Sequence, residues 1–162
     1  MKKAEKTNAL RMLSQHKLPF EAHDYTSSGA VSGPEVAAAL GEDPEKVFKT
    51  LVTVGKSGQH YVFVVPVCRE RDLKKAAAAV KEKNVAMIPQ KELLPLTGYI
   101  HGGCSPIGMK KLFPTVLHES AGSLATFCVS GGRIGLQVEL TPSALEQLVP
   151  YTLADIVTEE ES

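Results

Sequence analysis

The chain is poor in the features that most often announce a chemistry. Its 162 residues include three cysteines, Cys68, Cys104 and Cys128, and no two are spaced as CxxC. Three thiols cannot all pair, so neither a disulfide framework nor a zinc cage is expected, and reduced thiols fit a cytosolic setting. The five histidines are scattered, with no HxH or HxxxH pair to hold a metal. Charge of one sign is not in excess either, since 18 basic and 18 acidic side chains cancel. That argues against coating long nucleic acid, which requires many phosphates to be neutralised. It leaves room for a small pocket that grips one end of a nucleic acid. No apolar run approaches the roughly 20 residues needed to cross a bilayer. The opening "MKKAEKTNAL" carries lysines with no apolar segment behind them, so neither a membrane association nor a signal peptide is expected and the reading is a soluble, cytoplasmic protein. Loops of the GxGxxG or Walker type are missing, which weighs against nucleotide-cofactor enzymes. No metal and no cofactor are expected.

What is present is a patterned, globular sequence. Apolar residues make up 43% of it, enough at this length for a core without staples. No repeat, linker or low-complexity block interrupts it, so residues 1–162 are expected to form a single domain. Thr7 caps a first helix with Leu10 and Leu13 on one face, and "FEAHDY" reads as a short strand. "SGPEVAAALG" is a helix signal, with Ser32 ahead of it, Pro34 in its first turn and Gly41 at its end. "VFKTLVTVG" and "HYVFVVPV" flank "KSGQ" as a hairpin. Asp72 caps a helix whose stripe is Leu73, Ala76, Ala77 and Val80. "VAMI" reads as a strand, "PQKELLPL" as a short helix and "TVLHES" as another strand. "LATFCVS" and "RIGLQVEL" flank Gly131–Gly132, a hairpin signal. In the second of these, Ile134, Leu136, Val138 and Leu140 alternate with Gly135, Gln137 and Glu139, placing the first set in the core and the second outside. "TPSALEQLV" ends the pattern as a helix capped by Thr141, and "TEEES" reads as a solvated tail. Helices and hairpins interleave without the regularity of a doubly wound sheet. The expected fold is α+β, with a mixed, mainly antiparallel sheet surrounded by helices.

Few residues stand out chemically. Lys49 lies between Val47 and Leu51 in a strand apolar on both faces, where a lysine costs free energy unless it is paired, neutral or facing a ligand. It reads either as an edge lysine reaching water or as a cationic site for a phosphate or oxyanion. In "GYIHGGCSPIGMKK", residues 98–111, Cys104 is a nucleophile only if a base or dipole lowers its pKa; otherwise it is a small buried hydrophobe. Gly102 and Gly103 permit positive φ and close approach of a ligand, and Pro106 restricts Ser105. Their amides either form a nest for an anion or carbonyl oxygen or belong to a plain turn. Ser130 and Arg133 bracket a second Gly pair and could line a pocket mouth. Tyr25 reads as a stacking platform or as an interface aromatic. His23 and Asp24 are adjacent in a strand, point to opposite sides and make no dyad.

Three fragments then combine. "FKTLV" at 48–52, "GYIHGGCSPIGMKK" at 98–111 and "VSGGRIGLQVEL" at 129–140 resemble the YbaK family, the free-standing relatives of the editing domain of bacterial prolyl-tRNA synthetases. The resemblance runs from the first helix to "LADIV" at 153–157. It implies a trans-editing aminoacyl-tRNA deacylase, acting above all on cysteinyl-tRNA(Pro), in which the substrate's own thiol attacks its ester carbonyl. The family's central lysine falls on Lys49, its Gly-rich loop on Gly102, Gly103 and Ser105, its hairpin serine on Ser130 and its pocket tyrosine on Tyr25. Thr50 joins the polar lining. The implied partners are the acceptor end of tRNA(Pro) and, as a second, prolyl-tRNA synthetase. Val31 and Ser32 depart from the family, whose members often carry an aromatic residue just before the second helix; this bears on which amino acid fits. Related editors act on alanyl-, seryl- or threonyl-tRNA with water as nucleophile. The readings that compete with editing are a non-catalytic module holding tRNA ends or synthetases, and a Cys104-dependent hydrolase of small esters or thioesters.

Overall fold

Thr7 opens the first helix in the way its position implies. The computed structural model describes residues 7–30 and 33–159, so Val31, Ser32 and Glu160–Ser162 lie outside it. The Thr7 hydroxyl accepts from the Leu10 N–H at the start of α1 (Asn8–Gln15), whose buried stripe is Ala9, Leu10 and Leu13. The chain continues through β1 (Glu21–Asp24), α2 (Gly33–Leu40), β2 (Phe48–Gly55) and β3 (His60–Pro66). Then come α3 (Leu73–Ala79), β4 (Val85–Met87), α4 (Gln90–Thr97) and β5 (Thr115–His118). The last elements are β6 (Phe127–Ser130), β7 (Leu136–Leu140), α5 (Pro142–Leu148) and β8 (Tyr151–Ala154). Asp72 and Thr141 cap α3 and α5, each accepting from N–H groups of the first turn.

Two sheets result. One has three strands in the order β1-β7-β6, and the other has five in the order β4-β2-β3-β5-β8. Pairings within the first sheet, and of β2 with β3 and β4, are antiparallel; β5 runs parallel to both β3 and β8. The fold is thus α+β with mixed, mainly antiparallel sheets. The larger sheet is covered on both faces. Phe48, Val52, Val62, Val64 and Leu117 share a core with α1, α5 and the smaller sheet, while Leu51, Phe63, Val65 and Val116 pack with Ala76 and Ala77 of α3. Phe48 and Phe127 meet edge to face at 5.1 Å and tie the sheets together; truncating either to Ala would cost about 3–5 kcal/mol.

Backbone alternation in β2 creates the feature that matters most. Val47 accepts from Val67 N–H and Gly55 donates to Gln59 O, so odd-numbered residues of β2 bond to β3 and even-numbered ones face the opposite edge. On that edge β4 pairs only with Thr53–Gly55, and Ile88 N–H donates to Val52 O. At the other end Val47 forms an isolated parallel bridge to Cys128 of β6. Between these two contacts, at Thr50, the strand has no neighbour among the described residues.

The second hairpin departs from its sequence signal. Gly131 and Gly132 do not form a two-residue turn; the connection runs from Gly131 to Gly135, with φ of 107° at Gly132 and 91° at Gly135. Ile134 therefore falls in the loop and is 42% exposed, whereas Gln137, expected outside, is buried. The physical reason is that the second face of β7 is not solvent-facing. Cys128 of β6 packs on that side with Val36, Ala37 and Val47.

Candidate active site

The gap in the β2 edge opens into a cavity of about 460 Å³, within the size range of small-ligand sites. Residues 47–51 form one wall, Ser130 and Gln137 the facing one, and Tyr25 with the start of α2 a third; Gly102 and Cys104 contribute from the Gly-rich loop. Of the residues singled out in the sequence, Tyr25, Lys49, Thr50, Gly102 and Ser130 line this one cavity.

Lys49 is half-buried and makes no hydrogen bond or ion pair among the described residues. Desolvation, and then the nearby Arg71 charge, hold its pKa below the ordinary lysine value, with Glu70 and Cys68 opposing them. A cation in this position is costly unless a ligand supplies the missing negative or polar partner. The Ser130 hydroxyl accepts from Gly132 N–H at 3.1 Å, which leaves its proton free to donate. The Thr50 Oγ1 and Gln137 Oε1 atoms are buried without any hydrogen-bond partner among the described residues.

The Gly-rich loop divides into two parts. Gly102, at φ 88°, faces the cavity, and its N–H makes no hydrogen bond among the described residues. Gly103 and Ser105 lie outside the cavity wall. A Cβ on Gly103 would sit 2.9 Å from Arg133 Cα and Ile134 N, so this glycine serves the close approach of the loop to the β6–β7 connection. Ser105 is fully buried, away from the cavity, and its Oγ accepts from Ile107 N–H in a local turn. Tyr99 anchors the same loop by donating to Ile107 O at 2.5 Å. Arg133 is also absent from the wall; its guanidinium pairs with Asp24 at 3.1 Å and donates to Thr26.

Cys104 reaches the cavity but not as a thiolate. Burial pushes its pKa up to about 12, so its sulfur is protonated at neutral pH and weakly nucleophilic. Cys128, also raised to about 12 by burial, belongs to the packing under α2. His23 Nε2 donates to Glu139 Oε1 at 2.9 Å, away from Asp24. Gln137 is the cavity residue that sequence reasoning missed. The signal was there in its cross-strand position opposite Ser130, because directly paired residues share a face.

With fold and cavity in place, the class can be stated. Residues 28–148 match the aminoacyl-tRNA editing domain, and the chain belongs to that family. A candidate Cys-tRNA(Pro)/Cys-tRNA(Cys) deacylase, EbsC of Enterococcus faecalis (strain ATCC 700802 / V583), is 46% identical over 160 residues, 98% of each chain. The crystal structure of a candidate trans-editing enzyme for prolyl tRNA synthetase is similar with a TM-score of 0.83 at 25% identity, over 96% of this chain and 100% of that one. The crystal structure of a hypothetical protein gives a TM-score of 0.85 at 21% identity, over 94% and 100% of the two chains, a likeness in fold.

Proposed function

We propose that this protein is a trans-editing aminoacyl-tRNA deacylase that removes cysteine from Cys-tRNA(Pro), with residues 1–162 acting as one editing domain in the cytoplasm. Family membership and the name of the E. faecalis relative support the reaction class. The observation that carries the mechanism is a cavity with uncommitted donors and no activated protein nucleophile: the ammonium of Lys49, the hydroxyl of Ser130 and the N–H of Gly102 all open onto it, while Cys104 stays protonated. Neutral overall charge suits an enzyme that grasps an acceptor end rather than a whole duplex.

In this reading the terminal ribose and its aminoacyl ester enter the gap beside Thr50, and Tyr25 packs against the inserted group. Lys49, Ser130 and the Gly102 amide donate to ester and ribose oxygens, so they stabilise negative charge as it develops on the carbonyl. The substrate thiol forms a bond from sulfur to the carbonyl carbon, the ester C–O bond breaks, and the thiol proton ends on the departing ribose oxygen. The thiolactone so formed is opened by water. The protein's share is proximity and orientation, worth about 7–11 kcal/mol in well-held intramolecular reactions. Prolyl-tRNA synthetase, as the source of mischarged tRNA(Pro), is the partner that would deliver it.

The test is release of amino acid from tRNA(Pro) charged with cysteine, alanine or proline. Cysteine is expected to leave fastest and proline to be spared. No release above the buffer control from any of the three overturns the enzyme reading. Faster release of alanine than of cysteine moves the mechanism from substrate thiol to water.

A further inference from the structure

Gln137 is 6% exposed and lines the cavity, yet its Oε1 has no hydrogen-bond partner among the described residues. A buried polar group left unpaired costs free energy that a bound ligand would recover. Its placement is rigid, because β7 is the central strand of its sheet and Gln137 is paired with His23 on one side and Ser130 on the other. Thr50 Oγ1, on the opposite wall, is buried and unpartnered as well. The cavity thus holds two kinds of group. Lys49, Ser130 and Gly102 are donors, matched to the oxygens of an ester and a ribose. Gln137 and Thr50 supply neutral, recessed acceptor oxygens, the exposed Glu35 carboxylate lines the same cavity, and an aminoacyl ester has one strongly donating group to match such acceptors, its α-ammonium.

We propose that Gln137 reads the α-ammonium of the bound aminoacyl ester, with Thr50 as second acceptor, and so restricts the enzyme to esters with a free amino group. The inference rests on the deacylase reading and adds to it a substrate boundary. An N-acylated ester has lost the charge and two of the three ammonium protons, and its acyl group must occupy the space beside Gln137. Peptidyl-tRNA, which carries such an acylated nitrogen, is then spared by chemistry rather than by size alone.

The experiment compares Cys-tRNA(Pro) with N-acetyl-Cys-tRNA(Pro), and in parallel the binding of non-hydrolysable 3′-cysteinylamido-adenosine and its N-acetyl counterpart, in wild type, Gln137→Leu and Gln137→Glu. Wild type is expected to favour the free amine by roughly tenfold or more, the size of a hydrogen bond to a charged group. Gln137→Leu loses that preference through the free-amine compounds alone, and Gln137→Glu keeps or increases it. Equal use of free and acetylated compounds by wild type overturns the proposal, as does a Gln137→Leu loss shared equally by both. If Gln137→Leu does not fold, loss of the free-amine preference in Gln137→Glu overturns it. Failure to bind either adenosine probe, together with no turnover, overturns it too. Selective binding of the free-amine probe without any release of cysteine would leave this proposal standing and remove the deacylase reading instead.

Discussion

Two cavities of nearly equal size, about 460 and about 500 Å³, both gather polar side chains. In the one beside β5 and β8, the basic side chains already have partners. Lys75 donates to Asp155 at 2.9 Å and to Val157 O at 2.8 Å, Arg69 pairs with Glu45 at 3.0 Å, and His118 Nδ1 accepts from Ile156 N–H at 3.3 Å. Its buried hydroxyl without a partner belongs to Ser120. In the cavity at the β2 edge, a half-buried lysine makes no ion pair among the described residues, and two side-chain oxygens and a backbone N–H have no hydrogen-bond partner among them. Volume is shared by both places. What separates a brace from a binding site is whether its polar groups already have partners.

That contrast can be broken or sharpened by substitution. Lys49→Ala is expected to lower kcat/KM for Cys-tRNA(Pro) by about a hundredfold or more, the usual loss when a preorganised donor is removed. Its melting temperature should not fall, since an unpaired, desolvated cation has been taken away; a drop in melting temperature would show that Lys49 was a structural brace after all. The next effect is on stability. Burial lowers the His118 pKa despite the Asp155 and Glu119 charges, so the folded protein holds the imidazole neutral. The unfolded chain therefore binds more protons as pH falls below the unperturbed value, about 6.5, and stability present above that pH is lost as pH drops toward the lowered folded value. Urea unfolding at pH 7.5 and 5.5 should show this loss, and His118→Asn should flatten it. Cys104→Ala should leave the rate of cysteine release unchanged and lower stability by about 1 kcal/mol, measured by single-turnover deacylation and chemical unfolding. A loss of release in a well-folded Cys104→Ala would restore the thiol as nucleophile. The smallest effect belongs to the second cavity: Lys75→Ala should cost at most about 1 kcal/mol and leave deacylation untouched.

Much of the fold was legible because its signals are local. The caps Thr7, Asp72 and Thr141, the β2–β3 hairpin and the stripe of α1 all follow from residues within a turn of each other. The misses depend on distant chain. β8, with the burial pattern of an edge strand and no clean alternation, becomes a strand by pairing in parallel with β5. The site was legible at Lys49, where a charge interrupts an apolar run, and at Ser130 and Gly102, where turn residues cluster. Gln137 was hidden by its own pattern: alternation assigns it to water, and only α2 and β2, brought over that face by the fold, put it inside. Gly103 and Ser105 misled in the other direction, since a loop's need to pack and its readiness to bind draw on the same residue types.

A bare strand edge normally invites another chain to add itself and start aggregation. Here the bare stretch is only the few residues around Thr50, stopped at one end by β4 and at the other by the bridge to β6, with the start of α2 over it. It is too short and too deep to accept a foreign strand, whose usual length is about five to six residues. The protein thereby keeps unpaired main-chain groups available at neutral pH without the self-association they would cause at the surface. The same narrow opening limits both what can pair with the strand and what can reach the cavity.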